Sequence, residues 1–123
     1  ALPFEVAQYA EGRAVTAWQV LNLVPDGDQM KPQFVWATSG TVGSPYDFDG
    51  IRVFTWNTAR DRYETAYRQG NLKGVYPLVV GRENVRDVEV PSFSVTTVDG
   101  AGNRPTRRFV LQGHFVRRLE QAR

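Results

Sequence analysis

The chain contains no cysteine. That excludes disulfides, thiolate zinc sites and a cysteine nucleophile. It has a single histidine, His114, so a metal site would have to be completed by carboxylates. No apolar run approaches the length of a membrane-spanning helix; Leu78-Val79-Val80 is typical of the longest. There is no G-x-S-x-G context for any serine, which leaves a Ser-His-Asp arrangement without its usual turn. There is also little excess charge. Fifteen basic residues against 13 acidic ones leave +2, so the basic pI of 9.2 does not point to nucleic acid. The chain begins ALPFEV, without an initiator Met or a basic-then-apolar leader, as a processed or trimmed chain would.

What remains is ordinary globular material. The 123 residues suit one domain, 1–123, and 41% hydrophobic with 23% charged residues argues against disorder. Residues 1–13 open with an incompletely alternating strand, begun by Pro3 and closed by a Glu11-Gly12 turn. Residues 14–24, AVTAWQVLNLV, fit either a strand or a helix; β-branched content and the Pro25-Asp26-Gly27-Asp28 turn favour the strand. Residues 33–38 alternate as a strand, and a Gly/Ser/Pro/Asp-rich loop follows up to Gly50.

The stretch from Gly50 to Gly81 is the most regular. Ile51, Val53 and Thr55 share one face of a strand, and Arg52, Phe54 and Trp56 the other. Asn57–Asp61 turns the chain into a partner strand, Arg62–Arg68, which places Tyr63, Thr65 and Tyr67 on a common face. A third run, Lys73–Val80, is interrupted by Pro77 and so belongs at an edge or a change of direction. Residues 82–92 read as a crossing loop or a short edge strand ending at Pro91. Residues 93–98 and 106–116 form a hairpin about an Asp99–Asn103 turn. Phe109, Leu111, Gly113 and Phe115 face inward, Gly113 marks a bulge or a close backbone approach, and His114 lies on the opposite face. The tail from Arg117 is short and compatible with helix. The sum is an all-β antiparallel chain of about seven or eight strands, as a sandwich or a small barrel.

Residues 51–80 combine IRVFTW, RYETAYR, a Gly-centred turn and the step Gly74-Val75-Tyr76-Pro77. This run resembles the second half of an SH3-like barrel of the bacterial type. The resemblance implies a five-stranded barrel with the C-terminal hairpin added. It implies an exported, extracytoplasmic module that binds a protein, a peptide or a cell-wall polymer.

The chemistry-bearing residues each have a plain structural alternative. Tyr46-Asp47-Phe48-Asp49-Gly50 and Pro25-Asp26-Gly27-Asp28 have carboxylates at alternate positions, as calcium loops do, but supply no further ligands; Asx turns explain both. Glu64 is the best-placed acid for glycoside chemistry and lacks a partner acid. Arginines gather at Arg60/Arg62, Arg104/Arg107/Arg108 and Arg117/Arg118, interspersed with acids in the manner of a solvated surface. Strand aromatics are normally packing residues. Their functional alternative is a stacking groove made by Trp56, Tyr63, Tyr67 and Tyr76 beside Arg62, with the Ser39–Asp49 loop over it. The function expected is non-enzymatic binding, with no cofactor or metal. The alternatives are a domain that pairs edge to edge with itself or a neighbour, and a carboxylate- or metal-dependent hydrolase.

Overall fold

The computed structural model describes residues 2–119. A short helix, α1 (Phe4–Ala7), runs into a single 3-10 turn (Gln8–Ala10), and eight strands follow. These are β1 (Ala14–Asp26), β2 (Gln29–Ser39), β3 (Gly50–Asn57), β4 (Arg62–Gln69), β5 (Gly74–Val85), β6 (Val88–Thr97), β7 (Thr106–Gln112) and β8 (Phe115–Arg118). They form two four-stranded antiparallel meanders, in the orders β1-β2-β3-β4 and β5-β6-β7-β8. The sheets do not close into a barrel among the described residues. β1 lies against β5 and β4 against β8, so the arrangement is a small sandwich.

The first sheet is buried on both faces, and this organises the molecule. Its inner face (Leu21, Val35, Ala37, Ile51, Val53) packs on Leu78, Phe93, Val95, Phe109 and Leu111 of the second sheet. Its outer face (Phe34, Trp36, Phe54, Trp56, Tyr63) packs on Val6 of α1, with Leu2, Ala10 and Val15 at the margin. The expected split of β3 is therefore correct, and both of its faces are core.

Residues 1–13 do not begin with a strand. Leu2, Val6 and Ala10 recur every four residues, which is a helical stripe. The Pro3 carbonyl accepts from the N–H groups of Val6 (3.0 Å) and Ala7 (2.9 Å), opening the helix. The expected turn at Glu11-Gly12 is present, with φ of 52° and 85°. The segment 14–24 is strand.

Residues 82–92 are not a crossing loop, and their first part, 82–85, lies at a sheet edge as one alternative expected. They are the end of β5, a turn and the start of β6. Arg86 and Asp87 both have positive φ (51° and 66°), as a two-residue hairpin turn of type I′ needs, and the Asn84 side chain accepts the Asp87 N–H at 2.9 Å. Pro91 is tolerated within β6 because it pairs only with Arg82 of β5; pairing to β7 begins at Ser92. The long strand 106–116 is divided. Gly113 (φ 65°) and His114 form a turn, not a bulge, and the turn resets the alternation. Phe109 and Leu111 face inward as expected, but Phe115 is 79% exposed. Pro77 does interrupt the β5 ladder, which skips from Val75 to Val79, and β5 is an edge strand. Of the C-terminal tail, Arg117 and Arg118 belong to β8, and residues 120–123 lie outside the described residues.

Candidate anion-binding cleft

The aromatic groove does not form, because β4 is bulged. Val53 pairs with Tyr67 and Phe54 with Thr65, leaving Ala66 as an extra residue. One inserted residue reverses the side-chain phase, so Tyr63 and Tyr67 leave the strand on opposite faces. Tyr63 is 5% exposed in the outer core, edge-on to Trp56 at 4.8 Å, and donates its hydroxyl to the Pro32 carbonyl at 2.8 Å. Trp56, also 5% exposed, donates Nε1–H to Asp26 at 3.1 Å. Tyr67 packs on Phe109 of the other sheet and donates to Gln69. Tyr76 stands on β5, donating to the carbonyl of Thr16. Arg62 is exposed and paired with Glu64. Only Trp56 and Tyr63 come together, and they do so inside the outer core; the five do not line a common groove.

Burial, and then the Glu5 carboxylate, raise the pKa of Tyr63 above its ordinary value; burial raises that of Tyr67 against the pull of Arg107 and Arg118. Both phenols therefore hold their protons more tightly in the folded chain than in the unfolded one. The stability they contribute is complete below the unfolded value, near pH 10, and is lost as pH rises through the folded values. Urea midpoints are expected to fall as the pH is raised to about 11, and Tyr63→Phe is expected to flatten the fall. A midpoint that holds steady across that interval would contradict the burial of these hydroxyls.

The carboxylates of the suspected calcium loop serve as ties. Asp47 accepts the Tyr76 N–H at 2.8 Å. Asp49 pairs with Arg13 and accepts the Gly40 N–H at 3.2 Å. These ties hold the 40–49 loop toward β5 and Arg13, away from Tyr63. Glu64 accepts from Asn57 at 2.9 Å and from Arg62, and the Asn57 bond foremost holds its carboxyl below the ordinary range, the reverse of what a general acid needs. His114 places Nδ1 3.2 Å from the hydroxyl of buried Thr55. No group of three or more His, Cys, Asp or Glu among the described residues is placed to hold a metal ion.

The convergence of charge is elsewhere, in a cleft of about 250 Å³ between the end of the helical segment and the start of β3. Thr38, Gly50 and Ile51 line it beside Tyr9 and Glu11, and Gln69-Gly70-Asn71 at the end of β4 line it too. Three arginines face it, at Arg13, Arg52 and Arg68. Arg13 is committed to Asp49 and to the Thr38 hydroxyl, 3.1 Å away. Arg52 is held by two bonds to the Thr65 hydroxyl (2.9 and 2.6 Å) and lies over the rings of Tyr9 (4.9 Å) and Phe54 (5.0 Å). Its cross-strand partner is Arg68. Neither Arg52 nor Arg68 has a carboxylate within ion-pair distance among the described residues. Burial, and then Arg68, pull the Arg52 guanidinium below its ordinary value, while Glu11 and Tyr9 act the other way.

Like charges directly opposite across a ladder are destabilising. An anion placed between the two guanidinium groups would relieve that repulsion, and the Arg52 fork is already oriented for it by Thr65 and the two rings. Sequence clusters of arginine gave no access to this site, because its members are single residues 39 and 16 positions apart. One signal was present, an arginine between apolar neighbours on the face of Phe54 and Trp56. Comparison of the chain with protein-family models, with curated proteins and with solved structures gives no match.

Proposed function

We propose that this protein is a non-enzymatic β-sandwich module that binds a protein, peptide or cell-wall component through an anionic group seated between Arg52 and Arg68. The observation that carries this is the cross-strand pair Arg52 and Arg68, both lining the cleft and neither within ion-pair distance of a carboxylate among the described residues, with Arg52 fixed by stacking and by Thr65. The cleft, about 250 Å³, is smaller than the roughly 300–1,000 Å³ typical of sites that engulf a drug-sized ligand. It therefore takes the end of a ligand, such as a terminal or side-chain carboxylate, with the remainder left outside. The planar fork of arginine suits a carboxylate in two-bond geometry.

The test is a titration of short peptides with free and with amidated C termini, followed by amide chemical shifts. Binding is expected to move the signals of Gly50, Arg52 and Gly70, to require the free carboxylate and to weaken with salt. Arg52→Gln and Arg68→Gln are each expected to weaken it about 10- to 100-fold, the loss of one charge-assisted hydrogen bond. Shifts that map away from the cleft, or equal binding by the amidated peptides, would refute the assignment.

A further inference from the structure

The four sheet edges are treated unequally. β4 carries Arg62, Glu64 and Arg68, and the Glu5 carboxylate caps the N–H of Tyr63 at 2.8 Å. β5 carries Pro77, Arg82 and Glu83, and the 40–49 loop bridges to its start at Gly74. β8 has only four residues, two of them arginine. Charge, proline, brevity and covering segments are the usual means of keeping an edge from pairing with another chain. β1 has less of this: among the described residues its protection is two bulges and the Tyr76 hydroxyl on the Thr16 carbonyl, and the Gln19 side chain donates to the Leu78 carbonyl of β5. From Ala14 through Val24 it has neither a charge nor a proline. Its Trp18 and Val20 project from the outer face 39% and 43% exposed, against Trp36 and Phe34 of β2, which are fully buried. The helical segment packs on Phe54 and leaves this margin of the outer face open.

We propose that β1 is a self-association edge, along which two copies of this chain pair antiparallel about a two-fold axis near Gln19. Bulges at Thr16 and Leu21 bracket a regular stretch from Ala17 to Val20. Tyr76 occupies the carbonyl of Thr16, so a new ladder starts beyond it. Trp18 and Val20 are two residues apart on one face. A two-fold at Gln19 therefore sets Trp18 of each copy against Val20 of the other and continues the apolar outer face across the seam. The same symmetry brings the cationic start of the strand, where Arg13 also pairs with Asp49, toward the acidic end of the second copy, where Asp26 accepts from Trp56 and Asp28 follows. No other edge is both neutral and apolar enough to match itself in this way.

The experiment is sedimentation velocity on the full chain from micromolar to submillimolar concentration. A monomer–dimer equilibrium is expected. Val20→Lys and Val20→Glu, whose folding is checked by circular dichroism, are each expected to weaken it more than about tenfold, because the symmetry doubles each new charge. Mixing the two variants is expected to restore a dimer. Val79→Lys, on the exposed face of the β5 edge, is expected to leave association unchanged. A monomer at every concentration overturns the proposal, as does a dimer that a folded Val20 variant leaves intact or that Val79→Lys breaks.

Discussion

Replacing Trp56 with alanine is expected to destabilise the fold by about 3–5 kcal/mol, the usual range for removing a buried tryptophan. The indole is 5% exposed and meets Tyr63 edge-on at 4.8 Å. Lys31 lies 4.8 Å over its ring, and Asp26 accepts its N–H. Truncation would open a cavity among Tyr63, Phe34 and α1, and would leave the Asp26 carboxylate short of a donor. Few domains of this size have stability to spare on that scale, so partial unfolding at 25 °C is an expected form of the result. Urea unfolding with an unchanged m-value measures it. Trp56→Phe keeps most of the packing and loses the hydrogen bond, and is expected to fall well short of the alanine variant. A loss under about 1 kcal/mol for Trp56→Ala would mean that the outer face of the first sheet is not core, and would reopen it as a binding surface.

That outer face explains much of what could be read from the sequence and what could not. Alternation within a strand was legible wherever the strand was regular. Ile51 and Val53 against Phe54 and Trp56, and Phe109 with Leu111, took the faces that period two assigns. It failed wherever one residue broke the phase. Ala66 in β4 sends Tyr67 to the other sheet, and the Gly113-His114 turn sends Phe115 into solvent. A bulge has no fixed residue signature, so local pattern cannot locate it. The stripe of Leu2, Val6 and Ala10 across α1 and its flanks was present in the sequence but short, and Pro3 fits a strand start as well as a helix start. The cleft was the least legible feature. Its arginines acquire meaning only through the register that sets Arg52 opposite Arg68 and through the covering segment that brings Tyr9 over Arg52.

The largest single-atom effect is expected at Gly74, within the step that suggested a family resemblance. Here the 40–49 loop makes its one bridge to β5. Gly74 donates its N–H to the carbonyl of Phe48 at 2.9 Å, and its own carbonyl accepts from Asp47 (2.9 Å) and Phe48 (3.3 Å). Phe48 is buried in the inter-sheet core, and its ring fills the place a side chain at Gly74 would take. A Cβ built on Gly74 would stand 2.1 Å from Phe48 Cε2 and 2.3 Å from Cδ2, inside any real contact distance. The ring is 1% exposed, with Tyr76 at 5.9 Å and the inner core around it, so moving it disturbs packed neighbours. Gly74→Ala is therefore expected to cost about 3 kcal/mol, at the upper end for adding one methyl group to a packed interior. A general loss of backbone freedom would give a much smaller effect, and a double-mutant cycle separates the two. Phe48→Leu alone is expected to destabilise, but Gly74→Ala added to it is expected to cost at least about 1.5 kcal/mol less than in the native background, because leucine leaves the space that the methyl group needs. Additive costs would show that the ring is not what requires glycine. Since Asp49, next to Phe48, holds Arg13 in place, Gly74→Ala is also expected to loosen the cleft, seen as broadened amide signals from Gly40, Gly50 and Leu72.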